Sequence, residues 1–217
     1  MKQCIFIAGA TGHIGARLAE ALIARGHRVR ALVRPGSEKK LPSGCEGVIG
    51  QPLEGKTFAA AISPADTFVQ LIGITHPSPF KAKQFETVDW VSGKESLAAA
   101  QQVRVAHFVY LSVAHPAPAM QSYIRVRTRV EALIGDSGLN ATIVRPWYVL
   151  GPGRRWPMLL IPIYKVLEKI PFTRAGALRL GFVTSEQMTA ALVHAIEHPP
   201  LGIRILEVPQ IRAALTH

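Results

Sequence analysis

Residues 3–15 read Gln3-Cys4-Ile5-Phe6-Ile7-Ala8-Gly9-Ala10-Thr11-Gly12-His13-Ile14-Gly15, and the order of these residue types decides the fold. Residues 3–8 form a short, nearly all-apolar run of the kind found in a strand buried on both faces, and it stops at Gly9. From Ile14 the spacing becomes helical, with Ile14, Leu18 and Leu22 in one row, and it ends at the helix-terminating Gly26. Between strand and helix stand three glycines at a G-x-x-G-x-x-G spacing. Phosphate oxygens reach main-chain N–H groups only where no Cβ intervenes. Gly9 permits the tight turn, Gly12 the close approach, and Gly15 the packing of helix on strand. The helix N-terminus then faces a pyrophosphate. The bland alternative is a glycine-rich turn that binds nothing.

The same alternation continues along the chain. Strands are expected over residues 28–33, 48–49, 67–74, 107–111, 141–144 and 203–208. Helices are expected over 53–62, weakly, and over 80–102, 121–137 and 186–197. Short apolar strands separated by helices predict an α/β fold, a doubly wound, mainly parallel sheet with helices on both faces. Past Pro146, prolines at 152, 157, 162 and 171 break the regularity. No linker is visible, so 1–217 reads as a single dinucleotide-binding domain, with 147–183 as its substrate-side segment.

At 217 residues the chain can bury roughly 70% of its unfolded surface. With 48% hydrophobic and 18% charged residues it is too apolar for disorder, and it lacks an apolar run long enough for a membrane span. Two cysteines, Cys4 and Cys45, make no disulfide framework; the start of the chain lacks a leader pattern, so the expected compartment is the cytoplasm. Cys4 is expected to be inert in its strand, and Cys45 has no evident activating neighbour. A net charge of +11 points to an anionic partner without choosing among nucleotide, phosphorylated substrate, nucleic acid and acidic lipid. Basic residues are not interleaved with aromatic stacking positions, which argues against a nucleic-acid role. The eight histidines have no metal-ligand spacing, so no metal site is expected, and His107 and His115 read as structural.

Arg34 ends the second strand where an acidic residue would select NAD. Its guanidinium can grip a 2′-phosphate, so NADP(H) is favoured over NAD(H); the other reading is a solvated loop arginine. His13 either donates to a phosphate or is a surface helix residue. Hydride transfer to a carbonyl builds charge on oxygen and calls for an acid and a second donor. Ser112 lies at the carboxyl end of a central strand, and Tyr123 and Arg127, four apart, share one face of the next helix. Alternatively, Tyr123 is an amphipathic surface residue and Arg127 belongs to a solvated basic face with Arg125 and Arg129. Glu131, one turn beyond Arg127, is placed to pair with it.

Taken together, the glycine loop, Leu32-Val33-Arg34, Leu71-Ile72-Gly73, Val109-Tyr110-Leu111-Ser112, Tyr123, Arg127 and Glu131, and Thr142-Ile143-Val144-Arg145-Pro146 carry a resemblance. The chain resembles atypical or extended short-chain dehydrogenase/reductase proteins, close to NmrA-like and NAD-dependent epimerase/dehydratase proteins, over almost its whole length. The resemblance implies a cofactor held by Gly9, Thr11, Gly12, His13, Ile14, Gly15, Arg34, Leu53, Leu71, Ile72, Gly73, Pro146, Trp147 and Tyr148. It implies Tyr123 as acid/base, Ser112 orienting the substrate oxygen and Arg127 holding the ribose. Two departures stand out: Arg127 replaces the family's lysine, and Gln51-Pro52-Leu53 replaces an aspartate near the adenine.

The expected activity is NADP(H)-dependent oxidoreduction of a small carbonyl, alcohol or quinone-like substrate. A non-catalytic NAD(P)-binding redox sensor or assembly partner is the alternative. Residues 154–169 combine Trp156, Met158, Leu159, Leu160, Ile161, Ile163, Tyr164 and Leu167 with Arg154, Arg155, Lys165 and Lys169, which also suits peripheral membrane contact or a packed helix with a basic edge.

Overall fold

Seven parallel strands stand in the order β3-β2-β1-β4-β5-β6-β9. The strands are β1 (Cys4–Ala8), β2 (Arg28–Val33), β3 (Glu46–Ile49), β4 (Thr67–Gln70), β5 (His107–Leu111), β6 (Ala141–Arg145) and β9 (Ile203–Glu207). In this computed structural model, residues 2–75, 77–150 and 170–215 are described. The doubly wound α/β expectation is met. Strand order reverses between β1 and β4, and the loops leaving their carboxyl ends open a crevice there.

The side-chain period of two divides the core into two layers. On one face Ile5, Ile7, Val69, Val109 and Val144 pack against Leu18 and Leu22 of α1 (His13–Ala24) and against Met188 and Leu192 of the helix Ser185–Glu197. On the other face Phe6, Phe68 and Phe108 lie in register across β1, β4 and β5, with ring centroids 5.2 and 5.5 Å apart. They are covered by α2 (Val91–Gln102) and α3 (Gln121–Asp136) through Leu97, Ala100, Val130 and Ile134. These apolar layers clamp the strands and so fix where their carboxyl ends lie.

Four stretches differ from expectation. Residues 53–62 form two 3-10 turns, Gly55–Thr57 and Ala59–Ala61, instead of a helix. Thr57 Oγ1 donates to the Glu54 carbonyl at 2.7 Å and accepts from the Gln51 N–H at 2.9 Å, and such local bonds compete with helix formation. The strand expected over 67–74 stops at Gln70, where its neighbour β1 has ended at Ala8. Residues 80–102 are broken: a 3-10 turn Pro79–Lys81, a short α-turn Ala82–Gln84 and a π-helical stretch Phe85–Trp90 precede α2. The wider π turn buries Phe85 and Asp89 completely. Within 147–183, β7 (Tyr148–Leu150) pairs in parallel with β8 (Phe182–Thr184), and α4 (Pro171–Arg179) precedes β8. The helix Ser185–Glu197 is α5, and α6 (Val208–Ala213) follows β9. The basic and apolar segment 154–169 lies outside the described residues. No helix among those described is long and apolar enough to cross a membrane.

Candidate functional site

The glycine loop has the shape its spacing calls for. Gly9 has φ +101°, a value L side chains rarely adopt, and the Gly12 N–H donates to the Gly9 carbonyl at 3.0 Å to close the turn. A Cβ on Gly15 would stand 2.2 Å from the Gly9 oxygen, so only glycine lets α1 come this close to β1. Gly12 caps α1 with no side-chain hydrogen bond and no acidic residue in the first turn. The helix therefore presents main-chain N–H donors and the positive end of its dipole without a protein carboxylate against them. That donor set, on a surface bare of Cβ atoms, fits a diphosphate.

A cleft of about 490 Å³ runs along the carboxyl ends of the central strands. Gly9, Gly12, His13, Ile14 and Gly15 form one wall, Leu71 and Gly73 the floor after β4, and Ser112 the end of β5. Tyr123 and Arg127 enter from α3, and Pro146, Trp147 and Tyr148 follow β6. Tyr148 is held edge-on against Phe182 by the β7–β8 pair, ring centroids 6.0 Å apart. Four expected contacts lie outside this cleft. Thr11 is exposed on the outer side of the loop, and Ile72 packs into the aromatic layer of the core. Arg34 and Leu53 are exposed just beyond β2 and β3, on the same sheet edge. His13 points its Nε2 at Ser185 Oγ, 2.9 Å away; that hydroxyl donates to the Leu150 carbonyl at 2.8 Å, so the imidazole is the donor.

Arg127 is buried, 3% exposed, and not part of a solvated basic face with Arg125 and Arg129. Its partner is Asp89, missed in the sequence: Nη2 donates to Asp89 Oδ1 at 2.5 Å, while Nη1 donates to the Leu111 carbonyl at 2.8 Å and to the Tyr110 hydroxyl at 3.4 Å. The guanidinium also lies over the Tyr123 ring, 5.1 Å from its centroid, with Phe85 on Tyr123 at 5.0 Å. Gly73 makes room for this pair, since a Cβ there would meet Arg127 Nη2 at 2.0 Å. Arg127 Nε is buried without a partner among the described residues. The only hint of Asp89 in the sequence is an acid on the apolar side of the helical stretch before α2.

The expected Arg127–Glu131 pair does not form. Although they are one turn apart on α3, Glu131 turns to the ends of β5 and β6, where it binds Arg145, accepts from Ser112 Oγ and faces His115. A carboxylate buried at the sheet edge finds its charge partner across the core, not along the helix, because Asp89 already occupies Arg127.

Burial dominates the protonation of the site. It raises the Tyr123 phenol above its ordinary value despite the Arg127 charge, and pushes the Tyr110 phenol up to about 12. Burial also lifts the Asp89 carboxyl, with Arg127 and the Ile74 amide pulling the other way. For Arg127 burial opposes the charge, but Tyr123, Tyr110 and Asp89 outweigh it, so the guanidinium stays protonated. Burial likewise raises both thiols, and Cys4 is only partly buried in β1, with Arg28 and Arg30 opposing the rise. Among the described residues no cluster of three or more His, Cys, Asp or Glu side chains could hold a metal ion.

Residues 9–154 match a family model described as NAD(P)H-binding. The chain belongs to that family. The expected kinship with NAD(P)-binding proteins is borne out, and a nicotinamide cofactor is supported. Curated relatives include a 3-diazoavenalumate denitrifying reductase of Streptomyces, 27% identical over 91% of this chain and 73% of its own. A ceramide reductase of Caulobacter vibrioides is 26% identical over 97% and 66%. The chloroplastic protein TIC 62 of Arabidopsis thaliana is 27% identical over 95% of this chain but only 36% of its own length. The chain thus spans from about a third to about three-quarters of these relatives. Among solved structures, the Bordetella bronchiseptica enzyme WbmH in complex with NAD+ superposes with a TM-score of 0.71, at 23% identity, over 95% of this chain and 76% of that one. At that identity the likeness is one of fold.

Proposed function

We propose that this protein is an NADP(H)-preferring oxidoreductase acting on a small carbonyl, alcohol or quinone-like molecule. The observation that carries the reading is the convergence, in one cleft, of a bare glycine cradle with the hydroxyl-bearing side chains Ser112 and Tyr123. Gly9, Gly12, His13, Ile14 and Gly15 hold the diphosphate, Leu71, Gly73, Pro146, Trp147 and Tyr148 line the remaining length, and Arg127 closes the inner end. When bound, the nicotinamide supplies or accepts a hydride. Ser112 and Tyr123 manage the proton and charge on the substrate oxygen. Ile74, Val113, Met120 and Trp147 make the walls mostly apolar, which suits an uncharged ring or chain around the reacting carbon. The reductase names of two relatives agree with this chemistry.

The preference for NADP(H) rests on Arg34, exposed beyond β2 on the cradle's side of the sheet, with Lys39 and Lys40 following. Leu53 and Thr11 complete the nucleotide end of the proposed contact set, with Ile72 supporting it from the core. A second reading, a non-catalytic NAD(P)-binding sensor or assembly protein, is favoured by the engagement of Arg127 with Asp89 and the Leu111 carbonyl, which leaves it fewer donors for a ribose.

Calorimetric titration with all four nicotinamide nucleotides, together with turnover on a quinone and alcohol panel, tests the proposal. Micromolar NADP(H) binding weakened about tenfold or more by Arg34→Ala is expected, consistent with loss of a charge-assisted bidentate contact. Tyr123→Phe should retain binding and lose turnover. Equal affinity for NAD(H) and NADP(H) would remove the role of Arg34, and turnover indifferent to Tyr123→Phe would favour the sensor.

A further inference from the structure

Behind the Ser112 side of the cleft lies a buried polar chain that leads outward. Ser112 Oγ is 3% exposed as a residue and donates to Glu131 Oε1. Glu131, 8% exposed, accepts from Arg145 at both oxygens, and His115 Nε2 stands 3.4 Å from its Oε2. The His115 side chain, 22% exposed, reaches the surface. Arg145 continues to Glu207 at 3.3 Å, and Arg179 donates to the neighbouring Pro116 carbonyl at 3.1 Å, so among the described residues these charged groups flank the path. One turn earlier on α3, Arg127 is locked to Asp89 and, as an arginine, gives up no proton to a relay. The two are therefore unequal, and among the described residues the Ser112 chain is the one that joins an acceptor to solvent.

We propose that Ser112, Glu131 and His115 form the proton path of this cleft, leaving Tyr123 as a neutral hydrogen-bond donor to the reacting oxygen. The proposal rests on the oxidoreductase reading above. Because the Ser112 proton is committed to a carboxylate, Oγ meets a substrate hydroxyl as an acceptor. In alcohol oxidation the substrate O–H proton passes to Ser112 Oγ as Oγ gives its own to Glu131 Oε1. A bound oxidised nicotinamide nucleotide would take the carbinol hydrogen with its electron pair, as hydride, and the C=O bond would form as the proton leaves. Once protonated, the Glu131 carboxyl turns its O–H from the Ser112 side to the His115 side, exchanging its Arg145 hydrogen bonds; the His115 ring, now with its own proton on Nδ1, takes the proton at Nε2 and releases the Nδ1 proton to water. Reduction runs the same chain in reverse. Ser112 is thus a catalytic residue, while Glu131 and His115 act through it.

The first test needs neither nucleotide nor substrate. In full-length protein at neutral pH, the Ser112 hydroxyl proton should give an NMR resonance that is absent from Ser112→Ala and Glu131→Gln. Its exchange with water should slow about tenfold in His115→Ala and recover with added free imidazole. His115 is a partly exposed loop residue, so this variant is the mild one. Unchanged exchange in His115→Ala, or a resonance that survives Glu131→Gln, overturns the path. The second test is turnover: His115→Ala should lower kcat about tenfold with KM unchanged, be rescued by imidazole and alter the pH profile, a smaller loss than removal of a general base. Loss of kcat without rescue overturns the role of His115 as carrier. Failure of any nicotinamide nucleotide to bind in calorimetry would instead refute the function proposed above, and the exchange measurement would still report on the chain.

Discussion

Replacing Gly73 with alanine should damage the protein through a charge pair rather than through the backbone. Gly73 does not have a positive φ, so strain is not the issue. The new methyl would stand 2.0 Å from Arg127 Nη2, 3.2 Å from its Cζ and 2.8 Å from Asp89 Oδ1. Ordinary contact is about 3.5 Å, so the guanidinium must retreat by roughly 1.5 Å. With Nη2 and Oδ1 both pushed out to that contact, the 2.5 Å Arg127–Asp89 bond lengthens to about 3.5 Å, at the limit of a hydrogen bond. Both partners are almost wholly buried, and separating such a pair costs about 3–5 kcal/mol. For a chain of this size, at about 2–4 °C per kcal/mol, the melting temperature should fall by roughly 10 °C. Thermal and urea unfolding measure this, with a cycle in which Gly73→Ala is repeated in an Asp89→Ala, Arg127→Met background. There the obstacle is gone, and the extra methyl should cost less than about 1 kcal/mol. A fall of under about 2 °C, or the same cost in both backgrounds, would refute the steric argument.

Three further outcomes follow from the structure. Gly15→Ala places a Cβ 2.2 Å from the Gly9 oxygen and should weaken nicotinamide nucleotide binding by about a hundredfold or more in calorimetry, with melting lowered by only a few degrees. His107 is wholly buried in β5 beside Thr142, and burial, aided by Arg204, lowers it to about 4. The unfolded chain therefore binds a proton that the folded chain refuses between pH 6.5 and 4. Stability is full above that window and falls through it by up to about 3 kcal/mol, a fall that His107→Phe should flatten in urea titrations at pH 7 and pH 4. Glu197 is held down to about 2 by Arg25 and His27, so it favours the fold above the ordinary carboxylate range and loses that contribution as pH falls toward 2. Being partly exposed, it should contribute no more than about 1 kcal/mol, read as the difference between wild type and Glu197→Gln at pH 7 and pH 2.5.

Much of the scaffold was legible because it depends on local chemistry. The run before Gly9, the row Ile14, Leu18 and Leu22, and the glycine spacing each state a strand, a helix and a turn with no need of distant partners. Ser112 and Tyr123 were placed in one cleft by the rule that parallel sheets gather their ligands at the carboxyl ends of the strands. Where periodicity was weak, local bonds decided instead. Thr57 turned 53–62 into 3-10 turns, and a π stretch broke the helix expected over 80–102.

What the sequence alone determined was the order of strands and helices and the existence of a bare phosphate cradle at the first turn. Its partner choices for charge came from the tertiary structure. Helix spacing offered Arg127 to Glu131, yet sheet register and the wide turn at Phe85–Trp90 delivered Asp89 to Arg127 and left Glu131 for Arg145 and Ser112. The reason is energetic: a surface pair one helical turn apart is worth a few tenths of a kcal/mol, whereas a buried charge left unpaired costs several, so the packed core sets the pairing.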